Sequence, residues 1–186
     1  MDQRDLVERA GRGDHDAFAL LVRASIAELE AVARLILRDP ELARDAVQDT
    51  YLRAWRDLPG LRDPDRFDAW LHRLTVNACL DAVRRRRRRP IEVDLAPLVS
   101  PSVGDQTGRV ADRDQLERGF RLLSPDHRAV LVLHYYLGLT VPGLADALGI
   151  PLGTAQSRLG RALAALREAL GIESDIDIAA AQEGMA

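Results

Sequence analysis

Residues 67–90 read FDAWLHRLTVNACLDAVRRRRRRP, and this stretch joins a helical pattern to a run of arginines. Its apolar residues recur at steps of three and four, which is the spacing of one helix face. Between residues 66 and 89 there are eight arginines and two aspartates, although the whole chain has a net charge of −3. Such a local surplus of positive charge attracts phosphate groups. The apolar face comprises Phe67, Trp70, Leu71, Leu74, Ala78 and Ala82.

A solvated basic tail is the alternative interpretation of an arginine run. Here the run continues a helix that carries aromatic residues and the amide of Asn77, between Arg73 and Asp81. Aromatic rings and amides can stack on single-stranded bases and read them. The combination therefore favours nucleic-acid binding.

The composition describes a soluble, foldable chain. Its 186 residues suffice for one ordinary domain or two small ones, and 47% of them are hydrophobic while 30% are charged. A single cysteine, Cys79, excludes an internal disulfide and fits a reducing compartment. Neither a signal segment nor an apolar run of membrane-spanning length is present, so we predict a cytoplasmic protein without membrane insertion.

Nothing in the sequence indicates an enzyme. The four histidines lack metal-ligand spacing, and no phosphate-binding glycine loop or nucleophile elbow is present. We therefore expect no catalytic residue, no metal, no cofactor and no small-molecule substrate.

The N-terminal half is predicted to be an all-α bundle. A first helix spans about Asp2 to Ala10, and a second, capped by Asp14 or Asp16, runs to about Leu37. Asp39 followed by proline starts a third helix from Pro40 to Leu58. One face of this third helix is polar. A solvated surface is its simplest explanation, although the face includes Asp45, Gln48 and Asp49.

Residues 91–112 lose the helical period and are rich in proline, glycine and serine, as is typical of a linker. Fully extended, about 22 residues would span roughly 70 Å. That is about two turns of duplex DNA. The two halves are therefore predicted to be helical domains joined by a flexible linker that lets them bind separate stretches of DNA.

The second half carries a helix-turn-helix pattern. A helix is predicted from about Ala111 to Leu123, and another starts at Ser124-Pro125 and runs to Gly138. Thr140 caps a short helix to Leu148, a turn follows at residues 149–151, and a last helix reaches Leu170. An ordinary pair of antiparallel helices is the alternative. The polar residues placed to meet base edges are Thr154, Gln156, Ser157, Arg158 and Arg161, and residues 172–186 form an acidic tail.

Three blocks, in this order, resemble the extracytoplasmic-function (ECF) subfamily of bacterial sigma factors. They are ELARDAVQDTYLRAWRDL, FDAWLHRLTVNACLDAVRRRRRR and a third that begins LSPDHRAVLVLHYYLGLT and ends LADALGIPLGTAQSRLGRALAALREAL. The resemblance covers about residues 5 to 170. It implies a sigma domain 2 in residues 1–90, a linker in 91–112, a sigma domain 4 in 113–171 and a tail in 172–186.

The resemblance also implies partners. A sigma factor of this kind binds RNA polymerase core, at the clamp helices of the largest subunit and at the flap, and directs it to promoter DNA. Asp45, Gln48 and Asp49 would contact the clamp helices. Asn77 would hold a flipped base of the minus-ten element, and the last helix would read the minus-thirty-five element. The backbone contacts of the minus-ten strand would come from Arg73, Arg84, Arg85, Arg86, Arg87 and Arg88, and an anti-sigma protein is the expected inhibitor.

Two other functions compete with this one. A stand-alone helix-turn-helix regulator would explain the C-terminal third, but it leaves the arginine helix and the polar face of Pro40–Leu58 unused. A nonspecific RNA-binding protein held by the arginines would bind without regard to sequence and would be released by moderate salt.

Overall fold

The computed structural model describes residues 2–88 and 109–172, and these residues are almost entirely helical. We call residues 2–88 the N-terminal unit and residues 109–172 the C-terminal unit. Positions 91–108 of the predicted linker and the tail beyond residue 172 lie outside the described residues, whereas positions 109–112, which the sequence analysis assigns to the linker, form the start of the helix Arg109–Leu122. The helices are α1 Gln3–Gly11, α2 His15–Leu37, α3 Pro40–Asp57, α4 Phe67–Arg88, α5 Arg109–Leu122, α6 Pro125–Leu131, α7 Val141–Leu148 and α8 Leu152–Ala169.

Aspartate caps start helices α2 and α3, as predicted. The Asp14 carboxylate accepts hydrogen bonds from two backbone amides of the first turn of α2, and Asp39 does the same for α3. These caps satisfy amides that have no partner within the helix. Asp14, rather than the alternative Asp16, is therefore the cap of α2. Its pKa is lowered, first by the amide of Ala17 and then by the Arg9 guanidinium.

Helix α4 buries more of its surface than the predicted apolar face. Phe67, Leu71, Ala78 and Ala82 are buried as expected, whereas Trp70 and Leu74 are half-buried. Thr75, Val76 and Cys79 are buried as well, because α4 is covered on one side by α3 and on another by α2. The wider buried surface fixes the rotation of α4, so that its remaining face is turned away from the N-terminal core.

In the C-terminal unit, the predicted helix from Ser124 to Gly138 is not uniform. Ser124 caps α6 by accepting from the amide of His127, but α6 ends at Leu131 and a π-helical turn covers Val132–Tyr136. The amide of Leu137 donates to the carbonyl of Val132, five residues back. A sidechain contact holds this wider turn, since a ring nitrogen of His134 lies 2.7 Å from the Leu139 carbonyl oxygen.

The helix-turn-helix is present as predicted. The Thr140 hydroxyl caps α7 at the amide of Gly143. Gly149 ends α7 in the left-handed region, with φ of 64°, a conformation that is least costly for glycine. Ile150 and Pro151 complete the turn, and α8 follows. This geometry leaves one side of α8 on the surface of the molecule.

The two units pack against each other, which the sequence did not predict. Helix α6 and the π-helical turn lie on α2, and α7 lies on α4. Buried apolar side chains from both units form one continuous cluster. Leu133 of the C-terminal unit is fully buried in it, as are Leu29 and Ile36 of the N-terminal unit.

Candidate nucleic-acid interface

One face of α4 and the turn before it carries two of the predicted minus-ten residues, Arg73 and Asn77, together with Arg66 and Trp70, which were not predicted to bind DNA. Arg66, Trp70, Arg73 and Asn77 follow one another at steps of four, three and four residues, so they share one side of the helix. Arg73 and Asn77 are exposed. Phe67 is buried and its ring lies 6.0 Å from that of Trp70, in agreement with a packing role for Phe67. We call Arg66, Trp70, Arg73 and Asn77 the α4 stripe.

The arginine run continues beyond the stripe, but several of its members already have carboxylate partners. Arg84 pairs with Asp81 at 3.2 Å, and Arg85 pairs with Asp49 at 3.1 Å. Arg86 pairs at 2.8 Å with the capping residue of α3. All three arginine side chains are about 60% exposed. Exposed ion pairs contribute little to stability, so a phosphate could replace these carboxylates. The remaining described members, Arg87 and Arg88, are exposed.

The predicted polymerase-binding residues lie on the adjacent helix. Asp45 and Gln48 are exposed on α3, whereas Asp49 is half-buried and held by Arg85. The structure thus brings the acidic face of α3 beside the basic end of α4. This contact could not be predicted, because Asp49 and Arg85 are far apart along the chain and no local pattern connects them.

An apolar groove that was not predicted lies between α2 and α3. It encloses about 470 Å³, and Gln48 lies on its rim. Leu52 in this groove is 63% exposed. It stands four residues after Gln48, hence on the same side of α3. In the sequence, the one indication of this groove is Leu52, an apolar residue on an otherwise polar helix face. The apolar and aromatic lining consists of His15, Phe18, Ile26, Val47, Tyr51, Leu52 and Trp55.

Helix α8 presents most of the predicted base-reading residues. Gln156, Ser157 and Arg161 are exposed, and Thr154 and Arg158 are half-buried. The Arg161 Nε donates to the Ser157 carbonyl oxygen at 3.3 Å, which holds the guanidinium along the helix. These residues form the surface that the helix-turn-helix would place in a major groove.

Both units match known protein families. Residues 21–89 match the family described as Sigma-70 region 2, and residues 113–166 match Sigma-70, region 4. The chain is 38% identical over 161 residues to the ECF RNA polymerase sigma factor SigM of Mycobacterium tuberculosis, a match that covers 86% of this chain and 80% of that protein. The chain belongs to the ECF family of RNA polymerase sigma factors.

A further relative and two solved structures agree with this assignment. The RNA polymerase sigma-H factor of Pseudomonas aeruginosa is 31% identical over 90% of this chain and 93% of its own length. The structure of CnrH in complex with the cytosolic domain of CnrY is 30% identical, with a TM-score of 0.63 over 92% of this chain and 99% of that one. The sigma factor RpoE from Bartonella quintana, solved with the anti-sigma factor NepR, has a TM-score of 0.64 at 22% identity over 84% of this chain and 98% of that one, and so supports the fold alone.

The described residues of this ECF sigma factor hold no group of three or more histidine, cysteine or acidic side chains placed to bind a metal ion. Nor does any helix within residues 2–88 and 109–172 have the length and apolar character needed to cross a membrane. Cys79 is fully buried, and burial raises the pKa of its thiol to about 12. The thiol therefore stays protonated at neutral pH, which agrees with a packing role.

Proposed function

We propose that this protein binds RNA polymerase core and directs it to specific promoters, acting in the cytoplasm and without enzymatic activity of its own. The proposal rests on one observation: a single sigma chain contains two different surfaces that suit nucleic-acid binding. The α4 stripe with the arginine run fits a melted strand, and α8 fits a duplex. We assign residues 1–90 to sigma domain 2, 91–112 to the linker, 113–171 to sigma domain 4 and 172–186 to the tail.

In this proposal α4 opens the minus-ten element. Taking a base out of the stack costs a few kcal/mol, which contacts to the extruded base and to phosphates must offset. Asn77 is exposed on the α4 stripe and offers both a donor and an acceptor to a base. Arg73 and the arginines from Arg84 to Arg88 would neutralise the phosphates on either side of it.

The minus-thirty-five element would be read by α8. Gln156 is exposed near the start of the helix, and an amide can bond adenine in two places within the major groove. Arg161 lies farther along the same helix and suits either a guanine edge or a phosphate. Thr154, Ser157 and Arg158 complete this surface.

The polymerase would dock on α3. Asp45, Gln48 and Asp49 provide polar contacts. We add Leu52 as an apolar anchor, because it is 63% exposed and lines the apolar groove, and a contiguous exposed apolar surface marks a protein-binding site. The clamp helices of the largest subunit are the proposed partner at this surface. The flap of the polymerase is the proposed partner of sigma domain 4.

An anti-sigma protein is the proposed inhibitor, because control of this kind is common among ECF sigma factors. An inhibitor of this class should compete with core polymerase for the free protein and should abolish transcription when it is added before core. A candidate that binds the protein without either effect would not be its anti-sigma factor.

The function can be tested by DNA selection with and without polymerase. The full-length protein is incubated with fragments of its source genome, either alone or with purified core polymerase, and the retained fragments are sequenced. We expect a shared pair of motifs only when core is present. Enrichment of one duplex motif by the protein alone would instead support the stand-alone regulator. Sequence-independent retention that moderate salt removes would support the nonspecific RNA or nucleic-acid binder.

A further inference from the structure

Arg158 lies on the edge of α8 rather than on its outer face. It is three residues from Ala155 and four from Ala162, which are both fully buried, so it stands beside the inner side of the helix. In agreement, Arg158 is half-buried, whereas Gln156 and Ser157 are exposed. The side of α8 that faces away from the core therefore carries Gln156 and Ser157, and Arg158 borders it.

Arg161 shares this edge with Arg158, about one helical turn farther along. Its Nε donates to the Ser157 carbonyl oxygen, which leaves the terminal nitrogens of the guanidinium available. Among the described residues, Arg161 makes no ion pair, and Arg158 makes neither an ion pair nor a side-chain hydrogen bond. A half-buried guanidinium without an anionic partner is well suited to bind an anion from outside.

A pocket opens beside this edge, between α8 and α6. It encloses about 200 Å³ and is lined by both arginines and by three residues of α6, namely Asp126, His127 and Val130. The two guanidinium groups and the imidazole can each donate hydrogen bonds. The pocket is smaller than the roughly 300–1,000 Å³ of pockets that enclose a small molecule, but it is large enough for a single phosphate group.

The charges of the pocket favour an anion. Its two guanidinium groups outweigh the single carboxylate of Asp126, which is exposed and pairs with neither arginine in the described part of the chain. This carboxylate reduces the attraction for an anion without cancelling it. Its removal should therefore strengthen anion binding, whereas removal of Arg158 should weaken it.

The width of the major groove of DNA brings the edge of α8 against a phosphate strand. The groove is about 12 Å wide, and an α-helix with its side chains is about 10–12 Å across. A helix that turns its outer face toward the bases therefore meets the sugar-phosphate strands along its edges. Arg158, Arg161 and the pocket beside them lie on such an edge.

We propose that the pocket between α6 and α8 binds one backbone phosphate of duplex DNA, held by Arg158 and Arg161, with His127 as a further donor. This inference rests on the proposed function, because it assigns roles within the proposed minus-thirty-five surface. The two arginines then fix how α8 lies in the groove, and Gln156 and Ser157 read the bases. The edge of α8 thus supplies affinity, and its outer face supplies specificity.

The test uses holoenzyme assembled from the full-length protein and core polymerase, with a promoter duplex that carries the motifs recovered by DNA selection. Affinity is measured over a range of salt for this duplex and for one with a scrambled upstream motif. Arg158→Ala should weaken binding to both duplexes several-fold and leave the ratio of the two affinities unchanged. It should also reduce the slope of log K against log salt concentration by about 0.9.

Two other α8 variants are the comparisons. Arg167→Ala removes an exposed arginine that lies farther along α8 and does not line the pocket, so its affinities should match the wild type more closely than those of Arg158→Ala. Gln156→Ala should lower the ratio of the two affinities, because it removes a proposed base contact.

A second measurement locates the phosphate. Single phosphates of the upstream motif are replaced, one position at a time, by uncharged methylphosphonate. The wild type should lose affinity several-fold at one position, and the Arg158→Ala protein should lose little there. Asp126→Asn, which removes the repelling carboxylate, should bind both duplexes more tightly. Circular dichroism verifies that each variant is folded.

A lower affinity ratio for Arg158→Ala would make this arginine a base-reading residue and would overturn the phosphate site. Unchanged affinity and salt slope in both the Arg158→Ala and Asp126→Asn proteins would also overturn it, as would equal methylphosphonate losses in the wild type and Arg158→Ala at every position. These outcomes leave the proposed function intact. If the protein failed to bind core but bound a duplex motif alone, the proposed function would fail, and the same variants would test the phosphate site on that complex.

Discussion

At the scale of single residues, burial decides what a side chain can do. Cys79 is enclosed between helices and its thiol has a pKa of about 12, whereas Asn77, two positions earlier, is exposed. The predicted apolar face of α4 left out Asn77, in agreement with its exposure, but it left out Cys79 as well, which is buried because α2 and α3 cover more of the helix. The burial of Arg128 could not be predicted either, because nothing nearby in the sequence marks its acceptor, the carbonyl of Ile36.

Because of Cys79, the free energy of unfolding should depend on pH in the alkaline range. Its pKa is raised from 9.0 to about 12 by burial, so the unfolded state releases the thiol proton at a lower pH than the folded state. The free energy of unfolding should therefore fall as pH rises from about 9 toward 12, by at most ~1.4 kcal/mol per unit. Urea unfolding at several pH values measures this slope. The Cys79→Ala protein should lack this contribution, and equal slopes in both proteins would contradict it.

Asn77 should act in promoter opening rather than in polymerase binding. Because its side chain is exposed, Asn77→Ala should leave the fold and core affinity unchanged. It should reduce the permanganate reactivity of thymines in the minus-ten element by about tenfold or more, which corresponds to one lost contact to an extruded base. Gln156→Ala removes an exposed amide from α8 and is the matched control.

We expect Gln156→Ala to weaken closed-complex binding while the bound fraction still opens. Normal opening by the Asn77→Ala protein would remove Asn77 from the proposed base-binding site.

At the scale of helices, local chemistry predicts where each element begins. Asp14, Asp39, Ser124 and Thr140 were all recognisable as caps, because each capping hydrogen bond is made within three residues along the chain. The π-helical turn at Val132–Tyr136 was not predictable in the same way. This turn depends on how the chain between α6 and α7 is accommodated in the fold. No turn-forming residue indicates its position before Gly138.

Gly160 offers a test of the α8 helix. It is exposed in the helix interior, and a Cβ added there meets no other atom within 4 Å. Gly160→Ala should therefore raise the free energy of unfolding by about 1 kcal/mol and the melting temperature by roughly 2–4 °C. Gly153→Ala, at an equally open position in the first turn, should gain less. A lower stability for Gly160→Ala would mean that this glycine makes a contact that the structure does not contain.

The α3 surface offers a test of polymerase docking. Joint replacement of Asp45, Gln48 and Asp49 by alanine should weaken core binding, and Leu52→Ala should do so separately by about tenfold, since truncation of an interface anchor costs more than 1 kcal/mol. Leu52 is 63% exposed, so its replacement should leave the melting temperature unchanged. Titration of labelled protein with core measures both affinities.

Glu8→Ala removes an exposed carboxylate from α1, a helix that carries none of the proposed docking residues, and is the control, with affinity expected to match the wild type. Wild-type affinity for both the Leu52 variant and the triple variant would refute the docking site.

At the scale of the whole molecule, the sequence predicted two helical domains and their order but not their contact. Periodicity and caps are local properties, whereas the contacts of Arg73 with Gly149 and of Arg66 with Asp146 join residues more than 70 positions apart. The candidate surfaces could be predicted because each lies within one helix. The ion pair that ties Asp49 to Arg85 could not, since it depends on how α3 packs on α4.

The central claim is that this ECF sigma factor gives promoter specificity to RNA polymerase. Run-off transcription with purified core polymerase on promoter-containing fragments of the source genome tests it most directly. We predict discrete transcripts that appear only when the protein is added and that start downstream of a shared pair of sequence elements. If core alone and core with the protein produced the same transcripts, while the protein still bound core, the claim would be contradicted.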